Sequence, residues 1–272
     1  KTTLAKGSSY SLPGVRDAEG YTFMGWSTKP MQSVSPQYEA EEKITVNGNV
    51  DLYAVVFNRT TETDLTEDQL PQVDIYKYKQ VIFVGDSRTE FMENVLTGMG
   101  ESATKNVKFV CSAGKGLDWF TTTGWAQLYS IVQHDSNSIL SKKTAVIFNF
   151  GVNDLSKSAD YAEYYNWIAP QLKSKGCELY FMSVNPVNRL MLPNAGRADR
   201  SEAAVRSFNQ YMKANLSSAY TYIDMYSYLK STGYSFASDH YGTGTVDDGL
   251  HYTTRTYKRI FAKCMDSLRV PA

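Results

Sequence analysis

Three short stretches of the chain carry side chains whose types and spacing suit acyl chemistry. Gly85-Asp86-Ser87 closes the apolar run QVIFV and precedes a helical pattern. A serine at such a strand-to-helix turn presents its hydroxyl at the top of a sheet, beside the N–H groups and positive dipole end of the next helix. Gly151-Val152-Asn153-Asp154 follows the run TAVIFNF. A carboxamide there can donate to a developing oxyanion, and Gly151 leaves room for substrate to approach the backbone. Near the C-terminus Asp248 precedes His251 by three residues. One turn can then bring the carboxylate to the imidazole, fix its tautomer and stabilise the imidazolium formed when the ring takes a serine proton. Taken singly, each stretch also reads as something ordinary: a tight turn, an Asx-capped helix start, a structural Asp–His hydrogen bond.

These residues need a scaffold, and the hydrophobic pattern supplies one. From residue 77 onward, five strand-like runs (QVIFVGDS, NVKFVCSAG, TAVIFNFGVND, ELYFMSVNP and YTYIDMYSYL) are each followed by an amphipathic helical stretch. Near-continuous apolar runs alternating with helices predict an α/β domain with a parallel sheet covered on both faces. Ligands of such sheets bind at the carboxyl ends of the strands. Two of the three stretches close such runs, and the third precedes the last helix.

That ordered set, a serine after the first strand, Gly-x-Asn after the third and Asp-x-x-His before the last helix, resembles the SGNH (GDSL-like) hydrolase family. The resemblance covers residues 77–272 and implies a flavodoxin-like three-layer fold with five parallel strands in the order 2-1-3-4-5. It implies a serine esterase without cofactor or metal, in which Ser87 is the nucleophile, His251 the base and Asp248 the supporting acid. The implied oxyanion donors are the Ser87 amide, the Asn153 side chain and a glycine amide after the second strand. Gly114 and Gly116 both fit that last place, and Gly116 is preferred as lying further into the loop. Asp247 competes with Asp248, but only Asp248 has the family spacing. The sequence departs from the namesake motif at Arg88, where the family has Leu. An arginine at that helix start is expected to reach a substrate or a neighbouring carboxylate, and Asn185, after the fourth strand, is a second expected substrate contact.

The first 59 residues read differently. GYTFMGWST alternates apolar and polar residues, and Asn47-Gly48-Asn49 lies between KITV and DLYAVVF, which predicts a hairpin. These landmarks resemble the Listeria–Bacteroides repeat, a small β-rich module of bacterial surface proteins, over about residues 10–57. The resemblance implies a secreted or cell-surface protein and a contact with cell wall or glycan through this module. Residues 60–76 hold five acids and no base, and read as a linker with few packing residues and a helical turn at TEDQL. The expected organisation is thus a repeat (1–59), a linker (60–76) and a hydrolase domain (77–272).

Composition narrows the function further. Lys plus Arg and Asp plus Glu are 28 each, so the basic excess of a nucleic-acid protein is missing. No apolar run approaches the ~20 residues of a membrane helix. Three cysteines without Cys-x-x-Cys spacing and three unpaired histidines argue against a disulfide framework, a zinc ribbon or a catalytic metal. Lys1 stands where an initiator Met would be, so a piece of a longer chain is expected, and the missing signal peptide carries no weight. Twenty tyrosines, many in surface-like contexts such as DYAEYYNW, are the one oddity. Two long connections, residues 185–200 and 231–249, are rich in Tyr, Asn, Arg and Ser. They favour a polar, carbohydrate-borne ester with a short acyl group, acetyl above all, over a lipid. The rival readings are an O-acyltransferase using the same site and a surface adhesion protein with an idle hydrolase fold.

Overall fold

The structure, a computed structural model, describes residues 2–30, 34–73, 78–135, 143–237 and 246–268. The predicted boundary at 76–77, His240 and residues 238–245 of the second polar loop lie outside them.

The main sheet has five parallel strands: β5 (Tyr78–Gly85), β6 (Val107–Cys111), β7 (Lys143–Asn149), β8 (Cys177–Met182) and β9 (Tyr220–Ile223). Their order is β6-β5-β7-β8-β9, so the first two strands reverse and the rest follow in sequence. Register places Val84 beside Val110 and Phe148, and Gly85 beside Asn149. The end of β5 therefore lies level with the end of β7, and two of the chemical stretches begin there.

Alternation along each strand builds two cores. On one face Val81, Phe83, Ala145, Ile147 and Met182 pack against α1 (Ser87–Met99) and α8 (Thr254–Ser267). On the other, Ile82, Val84, Val146, Phe148 and Phe181 pack against α4 (Trp125–Asp135), α5 (Ser158–Ser174) and α6 (Glu202–Asn215). Two single-turn helices, α2 (Glu101–Thr104) and α3 (Leu117–Trp119), lie before α4 in the chain. The result is the predicted three-layer α/β fold. The last apolar run is shorter as a strand than its sequence suggests: β9 ends at Ile223, Asp224 caps α7 (Met225–Thr232), and MYSYL is helical. The tyrosines of DYAEYYNW are also less superficial than their polar neighbours imply. Tyr161 and Tyr165, one helical turn apart, are both buried in the second core.

Residues 1–59 form two separate antiparallel pairs. β1 (Ser8–Ser11) pairs with β3 (Lys43–Val46), and β2 (Tyr21–Ser27) pairs with β4 (Tyr53–Asn58). The hairpin expected around Asn47-Gly48-Asn49 is not formed, because β3 and β4 take β1 and β2 as partners. Six residues separate β3 from β4, and Gly48 lacks the positive φ of a two-residue hairpin turn.

The acidic stretch is also more than a tether. Leu70 and Val73 are buried in the first core together with Met24, Val55 and Phe57 of the repeat, and with Tyr234 and Phe261 of the hydrolase part. Glu62 is buried where it accepts from Ser235 Oγ (2.6 Å), Arg259 NH1 (3.1 Å) and Thr256 Oγ1. The expectation of few packing residues fails because the acids that make this segment look solvated include one with buried partners. The predicted turn at TEDQL is present as a 3-10 turn, Glu67–Gln69, capped by Thr66.

Candidate active site

Ser87 is the first residue of α1. Asp86 caps that helix by accepting from the Arg88 N–H at 3.0 Å. Burial pushes the Asp86 carboxyl up to about 6, against the nearby Arg88 guanidinium, which favours its ionised form. The Ser87 hydroxyl lies 2.9 Å from His251 Nε2, and His251 Nδ1 lies 2.7 Å from Asp248 Oδ2. Asp248 Oδ1 also accepts from the Leu250 and His251 backbone N–H groups at 2.9 and 2.8 Å. The turn that brings carboxylate to imidazole therefore closes on the same carboxylate. Phe91, one turn along α1 from Ser87, stacks on the imidazole with centroids 4.3 Å apart.

Ser87, Asp248 and His251 are all buried, with side chains sheltered on the carboxyl end of the sheet. Burial lowers the His251 pKa, with Arg88 and Arg197 acting in the same direction, while the Asp248 carboxylate works against them. The net shift is below the ordinary imidazole value, so the ring is neutral near pH 7. Burial works to raise the Asp248 carboxyl. The hydrogen bond and charge of His251, together with the backbone donors, outweigh it and keep Asp248 below the usual carboxylate range.

Asn153 sits across the sheet end, after β7. Its Nδ2 donates to the Lys115 carbonyl at 2.8 Å, which ties it to the loop carrying Gly116. Asp154 holds the same loop by accepting from Leu117 N–H at 2.9 Å and is itself held by Tyr161 Oη at 2.7 Å. Among the described residues the Ser87 and Gly116 N–H groups have no acceptor. Gly114 lies further back in the loop, with its φ at +70°. Gly151 is not an opening for substrate. Its φ is +128°, and a Cβ there would meet the Phe208 ring at 2.5 Å, so the glycine serves the backbone bend and the packing of α6.

Two expected substrate contacts are corrected or refined. Arg88 is buried, with Nε donating to Leu250 O (3.0 Å), NH1 to Asn185 O (2.9 Å) and NH2 to Pro186 O (2.8 Å), above the Tyr252 ring. Its planar fork fits backbone carbonyls of two loops and does not reach into a cleft. Asn185 is buried too, and its Oδ1 has no hydrogen-bond partner among the described residues, while its carbonyl is held by Arg88. Sequence reading missed two arginines of the first polar loop. Arg197 Nε donates to Asp248 Oδ2 at 3.2 Å, and Arg200 NH2 donates to Asn153 Oδ1 at 2.8 Å, with its Nε on Val152 O. Their place in a long loop beside the site was the one signal. Nothing in their spacing identifies which carboxylate or amide each would meet.

Among the described residues no group of three His, Cys, Asp or Glu side chains is arranged to hold a metal ion, and no helix is long and apolar enough to cross a membrane. Cys111, Cys177 and Cys264 form no disulfide with one another.

The five-stranded parallel sheet and its order define an SGNH-like α/β fold. The family model for GDSL-like lipase/acylhydrolase matches residues 36–264, and the chain belongs to that family. The Listeria–Bacteroides repeat model matches residues 1–55. Among solved structures, a putative SGNH hydrolase from Slackia heliotrinireducens is 14% identical, with 71% of this chain and 100% of that one covered and a TM-score of 0.50. An acetyl xylan esterase, AlAXEase, is 11% identical over 70% of this chain and 100% of its own, at a TM-score of 0.45. The C-terminal catalytic domain of a peptidoglycan O-acetyltransferase from Streptococcus pneumoniae is 15% identical over 70% and 92%, at a TM-score of 0.40. No curated protein sequence matches the chain. At 14% identity the likeness to the first of these speaks for the fold alone.

Proposed function

We propose that the protein is a serine esterase of the bacterial cell surface, hydrolysing short acyl esters, acetyl above all, on a carbohydrate. The observation that carries the reading is His251 standing within hydrogen-bond reach of both Ser87 and Asp248 at the carboxyl end of a parallel sheet. Ser87 Oγ attacks the ester carbonyl as His251 Nε2 takes its proton, and Asp248 holds the Nδ1–H and offsets the new positive charge. The tetrahedral oxyanion is met by the Ser87 and Gly116 N–H groups and the second N–H of the Asn153 carboxamide. Collapse expels the alcohol, which takes its proton from His251. Water then repeats the cycle on the acyl-serine and releases the acid. No cofactor enters these steps.

The choice of substrate rests on the polar character of residues 185–200 beside the site, where Asn185, Asn188, Arg189, Asn194 and Arg197 outnumber large aliphatics. The surface location and the attachment to wall or glycan rest on the repeat match at residues 1–55. The test is a panel of acetylated glycans and p-nitrophenyl esters of increasing chain length, with fluorophosphonate labelling of Ser87. Release of acetate that is abolished in Ser87→Ala supports the reading. Labelling without release, and acetyl appearing on an added sugar acceptor, would replace hydrolysis by transfer. An unlabelled serine would sink both.

A further inference from the structure

The acid–base half of the site hangs on a short turn, Asp247-Asp248-Gly249, and that turn is fastened to the N-terminal repeat. Arg59, directly after β4, places NH2 between two carboxylates: 2.7 Å from Asp17 Oδ2 and hydrogen-bonded to Asp247 Oδ2. Asp247 Oδ1 in turn accepts from the Gly249 N–H at 2.9 Å. Arg59 is itself oriented by Nε donating to Thr22 Oγ1 at 2.8 Å, and that hydroxyl donates to Tyr234 O. A second route reaches the same turn. Asp17 Oδ1 and Val15 O accept from Asn188 Nδ2 at 2.8 and 3.0 Å, and the Asn188 N–H donates to Gly249 O at 2.9 Å. Gly249 has φ +65°, and a Cβ there would lie 2.3 Å from Asn188 O, so the contact requires glycine. A third runs from Arg16 NH2 to Asn194 Oδ1 (2.7 Å), whose Nδ2 donates to Asp247 O (2.9 Å).

We infer that the repeat is a positioning part of the catalytic centre: Arg59 and Asp17 fix the turn that holds Asp248 and aims His251 at Ser87. The inference rests on the proposed roles of Asp248 and His251. Asp17 is almost fully buried and Asp247 nearly so. Burial first, then the neighbouring Asp247 carboxyl, push the Asp17 pKa up to about 8, and the Arg59 guanidinium works against both. A largely buried clamp of this kind is screened less by salt than a solvent-exposed tether and is geometrically specific. A turn displaced by even ~1 Å can cost about a hundredfold in rate.

The experiment uses the full chain. Arg59→Met is expected to lower kcat on p-nitrophenyl acetate about 10- to 100-fold while KM stays within about twofold. It is also expected to shift or broaden the downfield proton resonance of His251 Nδ1–H, identified by its loss in Asp248→Asn. Arg206→Met is the control. It removes the bond from Arg206 NH1 to Ala40 O, which joins the same repeat to α6 away from the turn. It should lower the melting temperature while leaving kcat and the resonance in place. A folded Arg59→Met protein with wild-type kcat and an unmoved resonance would overturn the inference, and so would an Arg206→Met protein that reproduces both losses. Should Arg59→Met not fold, Asp247→Asn probes the same contact with the same losses expected, because the Asn oxygen still accepts from the Gly249 N–H while an amide NH2 replaces the carboxylate oxygen that accepted from Arg59. The resonance is read without turnover. A wild type inactive on every ester but with an Arg59-dependent resonance would refute the esterase reading and leave the clamp standing.

Discussion

Arg197 Nε and His251 Nδ1 meet on the same oxygen, Asp248 Oδ2, at 3.2 and 2.7 Å. The acid of the site therefore faces one permanent cation and one that forms only when the imidazole is protonated. The arginine holds the carboxylate in place and also disfavours a charged His251. Replacing Arg197 by Met removes a positive charge near the ring, so the His251 pKa should rise. The acidic limb of kcat/KM, measured with a neutral ester, should move to higher pH than in wild type. An unmoved limb would mean that Arg197 is screened by solvent and only supports the loop.

In the wild type that limb should lie below about 6.5, the ordinary imidazole value, because burial lowers the His251 pKa. Activity should rise with pH as the ring loses its proton and then level off. Ser87→Ala should remove up to ~10⁶ of turnover without changing the melting temperature. Asp248→Asn should cost about 10⁴ and shift the limb further down, since the carboxylate that favoured the imidazolium is gone. Profiles of kcat/KM for the three proteins check all of this, and an Asp248→Asn profile superimposable on wild type would refute the pairing.

Asn153→Ala should reduce kcat by roughly 10²–10³ with little change in KM, as the loss of one of the three proposed oxyanion donors. Arg200→Met should produce a smaller loss of the same kind, because it frees the carboxamide it holds through Oδ1. A melting temperature that falls in step with kcat in Asn153→Ala would instead make Asn153 a structural link to Lys115.

Arg88→Met should destabilise the fold and leave the KM of any folded protein unchanged. Three carbonyls, those of Leu250, Asn185 and Pro186, lose a charged donor, and each such bond is worth about 1.5–3 kcal/mol when buried. Arg88→Lys should recover little, since an ammonium cannot reproduce the fork. Urea unfolding and Michaelis kinetics separate the two effects. A KM raised severalfold at unchanged stability would restore Arg88 to the substrate.

Deleting residues 1–70 should give an insoluble or inactive protein. The cut would strip Met24, Val55, Phe57 and Leu70 from the core shared with Tyr234 and Phe261, and would leave Arg259 without Glu62. Solubility and fluorophosphonate labelling of the truncated chain check it. A soluble, fully labelled fragment would show that the repeat is dispensable to both fold and site.

The sequence by itself determined the elements that obey short-range rules. Alternation of strand and helix patterns from Tyr78 onward predicts the sheet, because apolar period and helix amphipathicity are properties of neighbouring residues. The positions of Ser87, Asn153 and the Asp248–His251 pair were readable for the same reason: each sits at the end of a predicted run or before a predicted helix. What the tertiary structure alone decided depends on partners far apart in the chain. Asn47-Gly48-Asn49 carries a hairpin signature, yet β3 and β4 pair with β1 and β2, because strand partners are chosen by burial across the whole module and not by the turn alone. Arg88 looks like a ligand for substrate until the carbonyls of Asn185, Pro186 and Leu250, some 97 to 162 residues away, are folded around it. Glu62 and Asp17 look like solvated acids in a polar sequence, and only folding brings Arg259 and Arg59 to them. A charged side chain is buried when a distant partner offsets its desolvation, and no local pattern records where that partner lies.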